Sequence, residues 1–104
     1  MTKIVYITCK DEKEALKIGK VLVKERLAAC VNVVPRIKSI YRWKGKIVED
    51  KESILLVKTI SSKVKKLIEK VEELHSYEVP CIEIIDINDG NKEYLKWIKN
   101  ELMD

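Results

Sequence analysis

Apolar and β-branched residues come in bursts along the chain, and the period of each burst assigns an element. Ile4, Val5, Tyr6, Ile7 and Thr8, within Lys3 to Cys9, read as a buried strand. Asp11 caps the helix that follows, and Glu14 three residues on completes a capping box. That helix is predicted from about 12 to 27, with Ala15, Ile18, Gly19 and Leu22 at helical spacing and Lys13, Lys17, Lys20 and Lys24 polar. A second β-branched run, Cys30 to Val34, is stopped by Pro35. Ile37 to Lys44 and Ile47 to Thr59 read as the arms of a hairpin turning at Lys44-Gly45-Lys46. Ser61 and Ser62 offer N-caps for a second helix, whose stripe is Val64, Leu67, Ile68, Val71 and Leu74 and whose end is His75. Pro80 disfavours helix at Val79, so Ser76 to Pro80 is a loop. Cys81 to Ile87 is a further strand, and Asn91 caps a short last helix with Tyr94, Leu95, Trp97, Ile98 and Leu102 as its apolar contacts.

The order is β-α-β-β-α-β plus a helix, the split βαβ arrangement of the ferredoxin-like α+β fold, with helices expected on one face of an antiparallel sheet. A ten-residue strand reaches about 33 Å. A compact chain of this length has a radius of gyration of only about 13 Å. The hairpin must therefore cross the whole domain and protrude, and a protruding edge has to be paired or charged. Pairing with another subunit is the expectation.

Length and composition sharpen this picture. With 104 residues the chain makes a single domain, residues 1–104. Phe is missing, so the core must be Ile, Leu and Val. The 21 basic residues against 17 acidic ones give a mild net charge of +4, with no isolated basic block to suggest nucleic acid. An RNA-binding sheet of this topology needs exposed aromatics on its central strands, and the first strand offers only Tyr6. Lys-rich, Gln-free composition is a thermophile-like tendency. The longest apolar stretch is about five residues, against about 20 needed to span a bilayer, and the N-terminus carries no signal-peptide pattern. A cytoplasmic location is expected, with Cys9, Cys30 and Cys81 as free thiols.

Catalytic signatures are missing: there is one His, no phosphate-cradling Gly loop and no nucleophile elbow. The run Glu49-Asp50-Lys51-Glu52 alternates in sign and reads as a solvated strand edge. No enzyme activity is expected. His75 and the three thiols are soft or borderline ligands that suit copper or zinc. For each there is a plainer role. His75 at a helix C-terminus gains from the helix dipole when protonated. Cys30 in an apolar strand packs as a small hydrophobe. Cys9 at a strand end either packs or carries function. Tyr41 and Trp43 share one face of their strand, as a packing surface between subunits or an aromatic wall for a ligand. Lys58 either holds an anion or extends to solvent.

Five segments together resemble one family. They are Leu27-Ala28-Ala29-Cys30-Val31-Asn32, Ser39 to Ile47, Glu52 with Lys58-Thr59, His75-Ser76-Tyr77-Glu78-Val79-Pro80, and Tyr94-Leu95-Lys96-Trp97-Ile98. In this order and spacing they resemble the CutA family of divalent-cation tolerance proteins. The resemblance implies a ferredoxin-like protomer in a PII-like homotrimer, with the long hairpin joining sheets between subunits. It implies non-enzymatic binding of Cu(II) or another divalent metal, none obligatory, in metal-ion homeostasis, with no membrane or nucleic-acid partner. The family's proposed copper site pairs a thiol near the end of the first strand with a His at the end of the second helix. His75 matches the latter. The thiol position falls on Ile7, and Cys9, two residues on and on the same face, is the substitute. Ser76 replaces the usual Pro after the His and Cys81 replaces the usual Glu, which adds a soft ligand beside His75. Tyr41, Trp43, Lys58, Tyr77 and Glu78 match positions that line the inter-subunit cleft of the family. The alternative function is therefore a PII-like signalling or scaffold trimer that binds a small anionic effector there.

Overall fold

The computed structural model describes residues 1–103. Four strands, β1 (Thr2–Cys9), β2 (Cys30–Trp43), β3 (Lys46–Ile60) and β4 (Ile82–Asp86), form one sheet in the order β2-β3-β1-β4. Every pairing is antiparallel. Helices α1 (Glu12–Lys24), α2 (Val64–Leu74) and α3 (Lys92–Leu102) complete the ferredoxin-like α+β fold.

Strand alternation divides the sheet into two faces. Val5, Ile7 and Cys9 of β1 and Leu55 and Val57 of β3 are fully buried under α1 and α2, together with Ala15, Ile18, Leu22, Leu67 and Val71. The intervening residues of β3 point to the opposite face, and α3 rests on them. Lys58 Nζ donates to Tyr94 Oη at 3.1 Å, and Ile60 packs with Ile98 and Leu102. The helices thus occupy both faces, not one. The short α3 covers only the far end of the second face, leaving Val34 and Ile85 exposed on the strands.

Three local features depart from what the sequence predicts. First, α1 ends at Lys24, not near 27, because Arg26 takes a left-handed conformation with φ 58°. Arg26 N–H bonds to Val23 O and Leu27 N–H to Leu22 O, a Schellman closure that usually employs Gly. From this strained position the Arg26 guanidinium donates to Glu101 O, 3.1 Å from Nη2, at the end of α3. Second, Pro35 does not end β2. Val34 pairs with Ile54 and Ile37 with Glu52, so Pro35 and Arg36 face Ser53 alone in a β-bulge, with Arg36 at φ 57°. Third, neither Ser61 nor Ser62 caps α2. A 3-10 turn, Ser61–Lys63, precedes that helix without a side-chain cap, and Ser61 gives both its N–H and its hydroxyl to Met1 O. The cap of α3 is as expected: Asn91 Oδ1 accepts from Tyr94 N–H at 2.9 Å.

The hairpin of β2 and β3 turns at Lys44 and Gly45, both with positive φ, as a two-residue I′-like turn requires. Fourteen residues of β2 reach about 46 Å, and the longest dimension of the molecule is 45 Å. The outer half of the hairpin carries Ile40, Trp43 and Ile47, which are 69%, 57% and 72% exposed.

One glycine is fixed by packing. A Cβ on Gly19 of α1 would lie 2.9 Å from Val31 Cγ2 and 3.2 Å from Leu55 Cδ1. Gly19→Ala gains about 1 kcal/mol of helix propensity but forces a stiff β-branched neighbour aside, at about 1–3 kcal/mol. We expect a net loss of about 1 kcal/mol and a lower thermal midpoint. An equal or higher midpoint by calorimetry would show that the sheet yields to the methyl group.

Candidate functional site

Short connections bring three chemically active side chains to one end of the sheet. Cys9 is the last, inward-facing residue of β1, and only Lys10 and Asp11 separate it from α1. Glu14 therefore stands in the first turn of α1 directly beyond the thiol. His75 closes α2, its N–H bonded to Val71 O at 2.8 Å. The Cys9 thiol, one Glu14 carboxylate oxygen and one His75 ring nitrogen all lie within 4.8 Å of one another, and all three residues are buried.

The hydrogen bonds fix the state of each group. Asp11 Oδ1 accepts from Glu14 N–H at 2.8 Å, which is half of the expected capping box. The reciprocal half is displaced: Glu14 Oε1 accepts from Lys10 N–H at 3.0 Å, and Oε2 accepts from Ser76 N–H at 3.0 Å. Burial works to raise the Glu14 pKa, but the hydrogen bonds from Ser76 and Lys10 outweigh it, and the carboxyl titrates below its ordinary value. His75 Nε2 lies 2.7 Å from Thr8 O, an atom that can only accept, so Nε2 carries the proton. Nδ1 accepts from Tyr77 N–H at 3.1 Å. These partners match the Nε2–H tautomer, with Glu14 Oε1 3.9 Å from Nδ1. Burial, with the Glu14, Glu52 and Asp11 carboxylates, pushes the Cys9 thiol up to about 12, so it stays protonated.

Tyr77 reaches over this cluster. Its ring centroid is 4.8 Å from that of His75, and its hydroxyl donates to Glu52 Oε2 at 2.7 Å. Glu52 is buried and immediately precedes Ser53, the partner of Cys9 and the residue opposite the bulge. Of the expected site residues, Cys9, His75 and Tyr77 are brought together here. Cys81 is not among the three convergent groups: it is half-buried beside Thr8, with its thiol aimed at Glu83 Oε1 at 3.5 Å. Burial and Glu83 both raise its pKa. Lys58 lies toward the other end of β3, bonded to Tyr94. Tyr41 bonds to Asp50 at 2.6 Å on the hairpin, Trp43 is exposed near its tip, and Glu78 is exposed beside Tyr77. Within one protomer these four do not meet the cluster.

The site holds two further members. The sequence presents Glu14 as a helix cap, and Glu52 both as a motif residue of the resemblance and as part of an alternating charged run. The available signal for Glu14 was its place one turn beyond a strand-end thiol. For Glu52 the signal was the motif alone, because its neighbours are charged and its partner Tyr77 lies 25 positions along the chain.

The three ligand types are chemically suited to a borderline or soft metal ion. A thiol, an imidazole and a carboxylate supply three positions and leave others open. A span of up to 4.8 Å between ligand atoms exceeds the separation set by bonds of about 2.0–2.3 Å to one ion, so the set fits after a contraction of about 1 Å.

The depressed pKa of Glu14 makes stability depend on pH with a definite sign. Its contribution is complete above the unfolded carboxylate range and is lost as pH falls through the folded value. Glu14→Gln should therefore cost about 1–3 kcal/mol at pH 7, a gap that narrows below about pH 4. Denaturant titrations across pH 3–7 check this, and a gap independent of pH would contradict it.

Among the described residues no helix is long and apolar enough to cross a membrane. The family model "CutA1 divalent ion tolerance protein" matches residues 3–101. The divalent-cation tolerance protein CutA of Thermus thermophilus is 52% identical over 99 residues, covering 95% of this chain and 96% of that protein. The CutA homolog of Xenopus laevis is 50% identical over 93 residues, and there the chain spans only 62% of the relative's length. The solved structure of the Thermus thermophilus divalent cation tolerance protein superposes with a TM-score of 0.96 at 50% identity, covering 99% of this chain and 100% of that one. With the fold, the motifs and nearly the whole chain in agreement, this protein belongs to the CutA1 family of divalent ion tolerance proteins.

Proposed function

We propose that this chain serves divalent-cation tolerance without enzymatic turnover, by reversible binding of copper or another divalent metal at Cys9, Glu14 and His75. One observation carries the reading: a thiol, a carboxylate and an imidazole converge within 4.8 Å in a buried pocket of the fold. The protonated, buried state of Cys9 speaks for a ligand that ionises on metal binding rather than for a standing nucleophile. The working unit we propose is a cytoplasmic homotrimer, in which the exposed apolar tip of the hairpin is covered by a neighbouring copy. Ile40, Trp43 and Ile47 support this, because a monomer would leave them in water.

Calorimetric titration of the chelator-treated protein with copper tests the site. We expect about one site per chain, with about one proton released per ion from Cys9 and hence an affinity that falls about tenfold per pH unit below neutrality. His75→Ala and Cys9→Ser should each weaken it by at least about a hundredfold, since each removes a ligand from a three-residue set. Cys81→Ser should leave it unchanged. Weak binding that is the same in all variants would reduce copper to adventitious surface coordination.

The second reading places a small anionic effector in a cleft between subunits, lined by Tyr41, Trp43, Lys58, Tyr77 and Glu78. The exposure of Trp43 near the hairpin tip supports it, since an exposed indole is available for stacking. Titration with nucleotides and small carboxylates, read by tryptophan fluorescence, should give a saturable change that Lys58→Ala abolishes. A flat response up to about millimolar ligand, an affinity of about 4 kcal/mol, would remove this reading.

A further inference from the structure

Two consecutive backbone amides occupy the acceptor atoms of the buried cluster. Ser76 N–H donates to Glu14 Oε2 and Tyr77 N–H donates to His75 Nδ1. Beyond them the Tyr77 ring lies on the imidazole, and its hydroxyl is fastened to Glu52 Oε2. Glu52 belongs to β3, whose ladder to β1 begins at the next residue, so this anchor is part of the rigid sheet. On the other side of Tyr77, Glu78 and Val79 are exposed, and Val79 is 80% exposed.

From this geometry we infer that Ser76-Tyr77 is a plug over the cluster and that the Tyr77–Glu52 hydrogen bond is its latch. The inference rests on the metal site proposed above and concerns how that site is controlled. Imidazole Nδ1 has a single lone pair, and it is committed to Tyr77 N–H. Nε2 carries a proton committed to Thr8 O. A cation and the Tyr77 amide therefore compete for the same electrons, and His75 becomes a ligand through Nδ1 only when Tyr77 has withdrawn. Withdrawal breaks the bond to Glu52 and shifts Glu78 and Val79, so the state of the buried site is displayed on the surface. Linkage fixes the sign of the coupling. Whatever weakens the plug must tighten metal binding by the same factor, because the closed state is the one that excludes the ion.

The test uses Tyr77→Phe, which keeps the ring and the backbone amide and deletes only the latch. Glu52→Gln, which keeps an uncharged acceptor, is the second variant. In chelator, with no metal present, Cys9 alkylation by iodoacetamide is followed by peptide-resolved mass spectrometry, so that Cys30 and Cys81 are read separately. A hydrogen bond to a buried carboxylate is strong enough that Cys9 should label about tenfold faster in Tyr77→Phe. Glu52→Gln should fall between that variant and the wild type, and Cys30 should be unchanged. Copper affinity should rise in Tyr77→Phe by the same factor of about ten. Equal Cys9 rates in all three proteins would overturn the latch. Equal acceleration at all three cysteines would also overturn it, as general loosening of the fold. If Cys9 labelling rises while neither wild type nor variant takes up stoichiometric copper, the latch is upheld and the metal reading is what fails.

Discussion

A carboxylate buried at the end of a sheet has to be met by donors, and meeting Glu14 organises this end of the molecule. Its two oxygens accept the Lys10 and Ser76 amides. The first ties the β1–α1 connection to α1, and the second ties α1 to the chain leaving α2, 62 residues away. A buried charge lacking such partners would cost several kcal/mol. With them the group is held ionised. The position of His75, and with it the course of the loop to Pro80, depends on this arrangement. Every buried side-chain polar atom among the described residues has a partner, so the cluster belongs to the tertiary structure and is no gap in the core.

The hairpin obeys a different constraint. Its inner half lies in the sheet and its outer half lies beyond it, and the bulge at Pro35 and Arg36 marks the change. Proline has no N–H to give to a ladder, so the strand continues past it only by letting two residues oppose one. The bulge stands opposite Ser53, the residue paired with Cys9. Glu52, one residue before Ser53 in β3, lies beyond the end of the β1 ladder, which closes at Cys9, and meets Tyr77. The bulge in β2 and the end of the β1 ladder thus fall at the same level of β3, where the part that builds the core gives way to the part that serves the site and the surface.

Elements governed by local periodicity were legible from the chain alone. The strand over Ile4 to Thr8, the stripe of α2 and the Asn91 cap of α3 all stand where spacing and turn chemistry put them. Misreadings occurred where a distant partner overrode a local rule. Arg26 takes the place that glycine normally fills, and its guanidinium reaches the end of α3. Ser61 looked like a helix cap but is consumed by Met1 O. At the site, Cys9 and His75 were visible because a strand end and a helix end are marked in sequence. Glu14 was visible only as a cap, since nothing local shows that its free oxygen faces Ser76. Glu52 stood out only as a motif residue, because burial of an acid in an alternating charged run is a property of the whole fold.

The state of His75 shows how the same bonds can serve stability and responsiveness together. A protonated imidazole would present a donor at Nδ1 to the Tyr77 amide, itself a donor, so the loop's conformation selects the neutral ring. The neutral ring is also the form in which histidine binds a metal. The lone pair that a cation requires is thus kept available as an electron pair yet engaged by a proton of the backbone. Such a bond contributes about 1 kcal/mol to the closed fold, whereas ligation to a transition metal is worth far more. On the proposed metal reading, the cluster holds the metal-free chain in one conformation without setting a barrier that a tightly bound ion cannot overcome, and the loop bearing Tyr77 is the connection that gives.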